Sequence, residues 1–246
     1  MREVSIAVIP ARGGSKRIPR KNVRMFRGKP MIAWTVEAAL ASNCFSRVIV
    51  STDDAEIAEV AKRCGAEVPF VRPQRLADDH TGTTPVVAHA LRELALSGDL
   101  DFACCLYATA PFLCPEDIRC GRALIAETEA DYAFAVTRFR YPIQRALRIG
   151  TDGHVSMFQP EHFDTRSQDL EEAWHDAGQF YWGRVDAWLA GRRVFSSGVP
   201  VVLPGHRVQD IDTEEDWRMA EIMHEVLEAS ELGSERARGG AAESER

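Results

Sequence analysis

Apolar runs and amphipathic stretches alternate along the first 137 residues in a regular beat. Val4–Ile9 and Arg47–Ser51 are short, apolar and rich in β-branched residues, the pattern of buried strands. Glu67–Phe70, Phe102–Tyr107 and Tyr132–Thr137 read the same way. Between them, helical spacing predicts helices at Pro30–Ala41, Ala55–Cys64, Thr83–Leu96 and Pro115–Ala126. Asp53-Asp54 supplies an N-cap for the second of these, and Gly65 stands where a C-terminal glycine belongs. Strand and helix in alternation predict βαβ units: an α/β fold, Rossmann-like, with a mostly parallel sheet and helices on both faces. Ligands of such sheets sit beyond the carboxyl ends of the strands, so the loops after Ile9, Ser51 and Tyr107 are the first candidates for a site.

The beat breaks at 138–178, a polar, aromatic and irregular stretch read as an excursion from the sheet. Regular structure is expected to resume at Gln179–Trp182, followed by a helix at Val185–Ala190, a strand at Val199–Leu203 and a last helix at about 213–229, where Thr213 and Asp216 form a capping-box pattern. These elements make one domain, 1–229. The tail 230–246 is mostly Glu, Ser, Gly, Ala and Arg and is expected to be disordered.

Composition narrows the class. A chain of 246 residues with 45% hydrophobic and 27% charged positions builds its core without disulfides. The six cysteines form no C-x-x-C pair and read as reduced, buried spectators in a cytoplasmic protein. No apolar run is long enough for a membrane helix, and the N-terminal run lacks the features of a signal peptide. The formal net charge of −7 provides no global field for nucleic acid, so neither membrane nor nucleic acid is an expected partner.

Against that acidic total, Arg12, Lys16, Arg17, Arg20, Lys21, Arg24, Arg27 and Lys29 lie in a window with no Asp or Glu. Gly13-Gly14, just after a strand, is expected to let the backbone turn sharply and present N–H groups to an anion. Arg12, Ser15, Lys16 and Lys21 add side-chain donors, the combination a triphosphate needs. G-x-x-x-x-G-K-[ST] and G-x-G-x-x-G are both absent, so the loop is neither a P-loop nor a dinucleotide fingerprint. Near the other end, Asp210-Ile211-Asp212 places two carboxylates on one face of an extended segment, an arrangement that calls for a cation between them. Mg2+ held by one or two carboxylates and substrate phosphates fits it.

Ile9–Asn22 resembles the signature of the sugar-acid cytidylyltransferases, the CMP-sialic acid and CMP-Kdo synthetase family. Val50–Asp54, Phe70–Pro73, Leu76–Asp79, Tyr107–Leu113 and Asp210–Thr213 extend the likeness in the same order. Tyr107-Ala108-Thr109-Ala110-Pro111 stands where sialic acid enzymes have Gln-Pro-Thr-Ser-Pro, and with Tyr141–Leu147 and His175–Gly183 it is similar to the pseudaminic acid branch. The resemblance implies transfer of CMP from CTP to the anomeric hydroxyl of a nine-carbon 2-keto sugar acid. Ala11, Arg12, Gly13, Ser15, Lys16 and Lys21 would hold the triphosphate, and Asn22, Arg72 and Thr83 the cytosine and ribose. Arg12, Lys21 and Asp212 would be catalytic, with Mg2+ on Asp210 and Asp212. Tyr107, Thr109, Arg145, Arg166, Gln179, Phe180 and Tyr181 would line the sugar site. The excursion would make a homodimer, placing some of these residues in the partner's site. Activation of sialic acid, legionaminic acid or Kdo stays open within the class. Outside it stand a non-catalytic nucleotide-binding protein and an RNA-binding protein using the basic window.

Overall fold

Six strands form one twisted sheet, and the sequence order of its members decides where a ligand can sit. A computed structural model of the chain describes residues 4–94 and 100–243, with side chains as far as Ser230. The strands are β1 Ser5–Pro10, β2 Arg47–Ser51, β3 Phe102–Leu106, β4 Tyr132–Arg138, β5 Trp174–Arg184 and β6 Gly198–Val202. Across the sheet they run β6-β4-β5-β3-β1-β2, and all are parallel to their neighbours except β5, which is antiparallel to both β3 and β4. The helices are α1 Met31–Ser42, α2 Ala55–Arg63, α3 Thr83–Glu93, α4 Pro115–Glu127, α5 Val185–Ala190 and α6 Glu214–Glu243. One face of the sheet packs Ile9, Val50 and Trp182 against Ile32, Ile57 and Ile118 of α1, α2 and α4. The other packs Val8, Cys105 and Tyr181 against Val87 and Trp188 of α3 and α5.

Several ends form as the local chemistry dictates. Asp54 accepts hydrogen bonds from the Glu56 and Ile57 amides at the start of α2. Gly65, at φ +97°, follows the end of that helix in the left-handed region. At α6 the capping box is reciprocal: the Asp216 amide donates to Thr213 Oγ1 (3.2 Å), and the Thr213 amide donates to Asp216 Oδ2 (2.7 Å).

Other expectations change. The strand expected at Glu67–Phe70 is a single bridge between Glu67 and Ile49, because the chain beyond Pro69 turns away to carry Arg72 toward the end of β2. The excursion is shorter than 138–178: β4 runs through Arg138 and β5 begins at Trp174, with cavity-facing His175 and Asp176 masking its strand character. The last helix, expected to end at Ala229, continues to Glu243. Residues 244–246, and the part of the expected Thr83–Leu96 helix beyond Leu94, lie outside the described residues. Of the cysteines, only Cys104 and Cys105 are buried, and Cys120 is exposed on α4. Among the described residues, no helix is long and apolar enough to cross a membrane.

A third cluster matters most for function. Ile18 and Phe26 of the loop after β1 pack with Met31, Phe112, Ile211, Trp217 and Ala220. It binds the basic loop near the start of the chain to the Asp-bearing segment near its end. The Phe26 ring meets Trp217 edge-on at 5.5 Å, and the Arg24 guanidinium lies 4.3 Å from the centre of the indole.

Candidate active site

The carboxyl ends of β1, β2, β3, β4 and β6, with the start of β5, share one edge of the sheet, and the cavities open there. A cavity of about 360 Å3 is lined by Arg12, Ser15, Lys16, Arg17, Lys21 and Asp212, among others. A second, of about 750 Å3, is lined by Arg138, Arg140, His175, Asp176, Asp210 and Met223, among others. A smaller one of about 190 Å3 brings Arg72 and Thr83 beside Arg12. Tyr107 lines both larger cavities, so they meet at its side chain. Alternation along this segment turns Ile211 away from the two carboxylates. Ile211 is fully buried in the third cluster, while Asp210 faces the larger cavity and Asp212 the basic one.

The basic window splits into two sets. Arg20 pairs with Asp54 and Glu56, Arg24 with Glu214, Arg27 with Glu225 and Glu228, and Lys29 with Glu37. These four fasten the loop to α1, α2 and α6. The other four line the basic cavity. Lys21 reaches across to the Ile211 carbonyl (2.6 Å) and Asp212 (3.4 Å), and Arg17 lies 2.8 Å from Asp212. Arg12 and Lys16 both meet Asp79, whose carboxyl Lys16, and then Arg12, hold down to about 2. Asp210 is exposed on its cavity, yet the surrounding chain removes part of its water. That desolvation, with the neighbouring charge of Asp212, raises its pKa above the ordinary carboxylate value.

Glycine serves a different purpose in this loop from the one expected. Neither Gly13 nor Gly14 adopts a positive φ; the left-handed positions are Arg20, Arg27 and Gly28. A Cβ at Gly13 would stand 2.8 Å from Asp54 Oδ2, so its absence permits close approach to the start of α2. The Gly13 amide is engaged by Asp53 at 3.0 Å rather than free for an anion.

A cytidylyltransferase family model matches residues 6–182. The chain belongs to the cytidylyltransferase family. It is 45% identical, over 90% of its length and 97% of the relative's, to the pseudaminic acid cytidylyltransferase of Campylobacter jejuni subsp. jejuni serotype O:2. It is 33% identical to the CMP-N,N'-diacetyllegionaminic acid synthase of Legionella pneumophila, over 90% of this chain and 96% of that one. The solved structure of CMP:2-keto-3-deoxy-manno-octonic acid synthetase complexed with CTP shares the fold, with a TM-score of 0.66 at 20% identity over 93% of this chain and 100% of that one.

In this cytidylyltransferase the expected nucleotide residues converge. Ser15 and Asn22 also line the basic cavity, as does Thr109, expected in the sugar site. Asn22 is buried and donates to the Arg12 carbonyl at 3.0 Å, fixing the loop's first turn. Ala11 is buried, its amide on the Ser51 carbonyl, where it continues the ladder rather than facing a ligand. Arg72 is buried against Ser51, donating to its hydroxyl and carbonyl oxygens; burial lowers its pKa to about 10, and it stays charged at neutral pH.

The expected sugar residues divide. Tyr107 faces the cavities, and Tyr181 lies behind it with the two hydroxyls 3.4 Å apart. Phe180 does not reach the site: it is fully buried on the opposite face of the sheet, close against Gly121 of α4, as strand alternation from Tyr181 requires. Gln179 is buried beneath the cavity wall, donating to the Arg207 carbonyl at 2.6 Å. Arg145 and Arg166 lie out on the excursion, near Ser167 and Asp169 respectively, and line neither large cavity. Arg138 and Arg140, which line the larger cavity, escape the sequence reading, while Asp176, Asp53 and Asp79 lie in its quoted motifs without being given a site role.

Proposed function

We propose that this cytidylyltransferase transfers CMP from CTP to the anomeric hydroxyl of pseudaminic acid, releasing pyrophosphate. The observation that carries this reading is the meeting of four cations from the first strand loop with Asp210 and Asp212 around two adjoining cavities. One cavity is cationic and suits a triphosphate, and the other is larger and carries arginines for a sugar carboxylate. The 45% identity to a pseudaminic acid cytidylyltransferase supports that branch. The test is CTP incubated with pseudaminic, sialic and legionaminic acids and Kdo, with products scored by mass. CMP-pseudaminic acid as the main product supports the reading; preference for another acid overturns the branch.

Asp210 and Asp212 fit a hard divalent cation. Desolvation, and after it the charge of Asp212, raises the Asp210 pKa; a bound cation would relieve the repulsive part, and both groups offer oxygen ligands. Among the described residues no third carboxylate, His or Cys joins them in a metal-binding group, which leaves coordination positions for substrate phosphates, as Mg2+ prefers. When bound, Mg2+ supplies charge neutralisation and polarisation of phosphate oxygens. The chain's own part is to bring two anions together and hold them in line. Lys21 and Arg12 stabilise charge building on the departing pyrophosphate, and Lys16 and Ser15 hold its oxygens. CTP phosphates replace Asp79 as the partner of Arg12 and Lys16. Arg12→Ala is expected to lower kcat by about 2–4 kcal/mol of transition-state stabilisation. Steady-state kinetics with CTP checks this, and an unchanged kcat contradicts it.

The domain 1–229, with its excursion, forms a homodimer. The excursion exposes Tyr141, Leu147, Ile149, Val155, Phe158 and Phe163, each more than half accessible, a concentration of apolar surface that marks an interface. Dimerisation would carry Arg145 and Arg166 toward the partner's sugar cavity. Ile149→Asp is expected to convert the dimer to monomer in sedimentation velocity and to raise KM for the sugar acid.

A further inference from the structure

The proton of the attacking hydroxyl must leave as the new P–O bond forms, and the function proposed above names no group to take it. Besides Asp210, one carboxylate lines the larger cavity: Asp176 near the start of β5. It is firmly held. Its Oδ1 accepts from the Gly178 amide at 3.0 Å, and its Oδ2 accepts the Tyr181 hydroxyl. The Tyr181 oxygen lies 3.4 Å from the Tyr107 hydroxyl, which lies 3.4 Å from Thr83 Oγ1. The proton directions follow from donor counting. Tyr181 has one proton, and Asp176 takes its hydrogen bond, so toward Tyr107 the Tyr181 oxygen is an acceptor. With the Tyr181 proton given to Asp176 instead of Tyr107, Tyr107 can donate to the Tyr181 oxygen, and its own oxygen can accept from Thr83 Oγ1 or from the cavity side. Tyr107 is also where the nucleotide-side and sugar-side cavities meet, the place an attacking hydroxyl must occupy.

We propose that Tyr107, Tyr181 and Asp176 are the proton relay of the transfer. The inference rests on the reading under Proposed function. The hydroxyl O–H bond breaks as its oxygen bonds to the α-phosphorus, and the P–O bond to pyrophosphate breaks with its electron pair leaving on pyrophosphate. The substrate proton goes to the Tyr107 oxygen, the Tyr107 proton to Tyr181, and the Tyr181 proton to Asp176. Asp176 becomes a carboxylic acid and returns the proton to solvent through the open cavity. Burial pushes both phenols above their ordinary pKa, so neither serves as a resting phenolate, and a chain that ends on a carboxylate needs none. Contacts of this kind shorten once substrate fills the site.

The experiment uses the full-length protein with CTP, Mg2+ and pseudaminic acid, comparing the wild type with D176N, D176E, Y107F and Y181F in single turnover. Calorimetric CTP binding and thermal melting run alongside. D176N is expected to lose about 100-fold or more in the transfer step, the usual contribution of a positioned proton acceptor, with KM for the sugar acid little changed. D176E is expected to recover part of that loss. The wild type is expected to show a solvent deuterium isotope effect with a curved proton inventory, and Y107F a straight one. Near-wild-type transfer by D176N, or a loss carried by KM alone, overturns the relay. Should D176N melt early, Y107F and Y181F test the relay without touching the carboxylate, and near-wild-type transfer by both overturns it. A wild type that binds CTP but turns over no sugar acid overturns the parent reading instead, an outcome distinct from an active wild type with an equally active D176N.

Discussion

Replacing Asp212 with alanine is expected to lower CMP-sugar formation by about 100–1,000-fold or more, the scale at which loss of one preorganised electrostatic group is felt. Three consequences combine. The divalent cation loses one of two protein carboxylates. Lys21, 3.4 Å from Asp212, loses its charged partner and keeps the Ile211 carbonyl at 2.6 Å. Asp210 loses the neighbouring charge that contributes to its raised pKa, so its carboxyl falls back toward the ordinary range. Folding, by contrast, should barely change. The Asp212 side chain is 36% accessible, and ion pairs at that exposure contribute about 0–1 kcal/mol. Pyrophosphate release at saturating CTP measures the first effect and thermal melting the second. A rate close to wild type removes the metal role of this residue.

Trp217→Ala is expected to act in the opposite sense, on stability first. The indole is 1% accessible, lies beneath Arg24, meets Phe26 edge-on, and donates from Nε1 to Glu221 at 3.1 Å. Truncating a buried tryptophan costs about 3–5 kcal/mol, a large share of the 5–15 kcal/mol typical of a domain. Trp217 also joins Ile18 of the basic loop to Ile211 between the two aspartates. Its loss therefore loosens the surface on which both halves of the site rest, and the folded fraction should lose activity too. Trp188→Ala is the control, since Trp188 is equally buried but belongs to the cluster on the α3 and α5 face. Denaturant unfolding should show both variants destabilised, with specific activity lost only in Trp217→Ala. Equal activity per folded molecule in both contradicts the supporting role.

What the sequence makes legible is local. Short apolar runs rich in β-branched residues place β1 and β2, Asp54 and Gly65 bound α2, and Thr213 with Asp216 opens α6, because each depends on residues a few positions apart. What it hides depends on distant partners. Counting charges between Arg12 and Lys29 cannot show that Arg24 is tied to Glu214 or that Asp79 meets Arg12 and Lys16. The segment around Phe180 reads as part of a strand, but alternation alone does not say which face packs on helices, and Phe180 goes to the core while Tyr181 backs the site. The start of β5 reads as irregular because its polar residues serve a cavity rather than solvent. Arg145 and Arg166 rest on resemblance, and within one chain the fold keeps both out on the excursion.

The most direct measurement is a crystal structure of the protein with CTP and Mn2+ standing in for Mg2+, recorded at the manganese absorption edge. The account predicts triphosphate oxygens on Ser15, Lys16 and Lys21, Asp79 displaced from Arg12, and an anomalous peak within coordination distance of Asp210 and Asp212. Nucleotide bound away from the Arg12–Lys21 loop, or a metal peak remote from both aspartates, would contradict it.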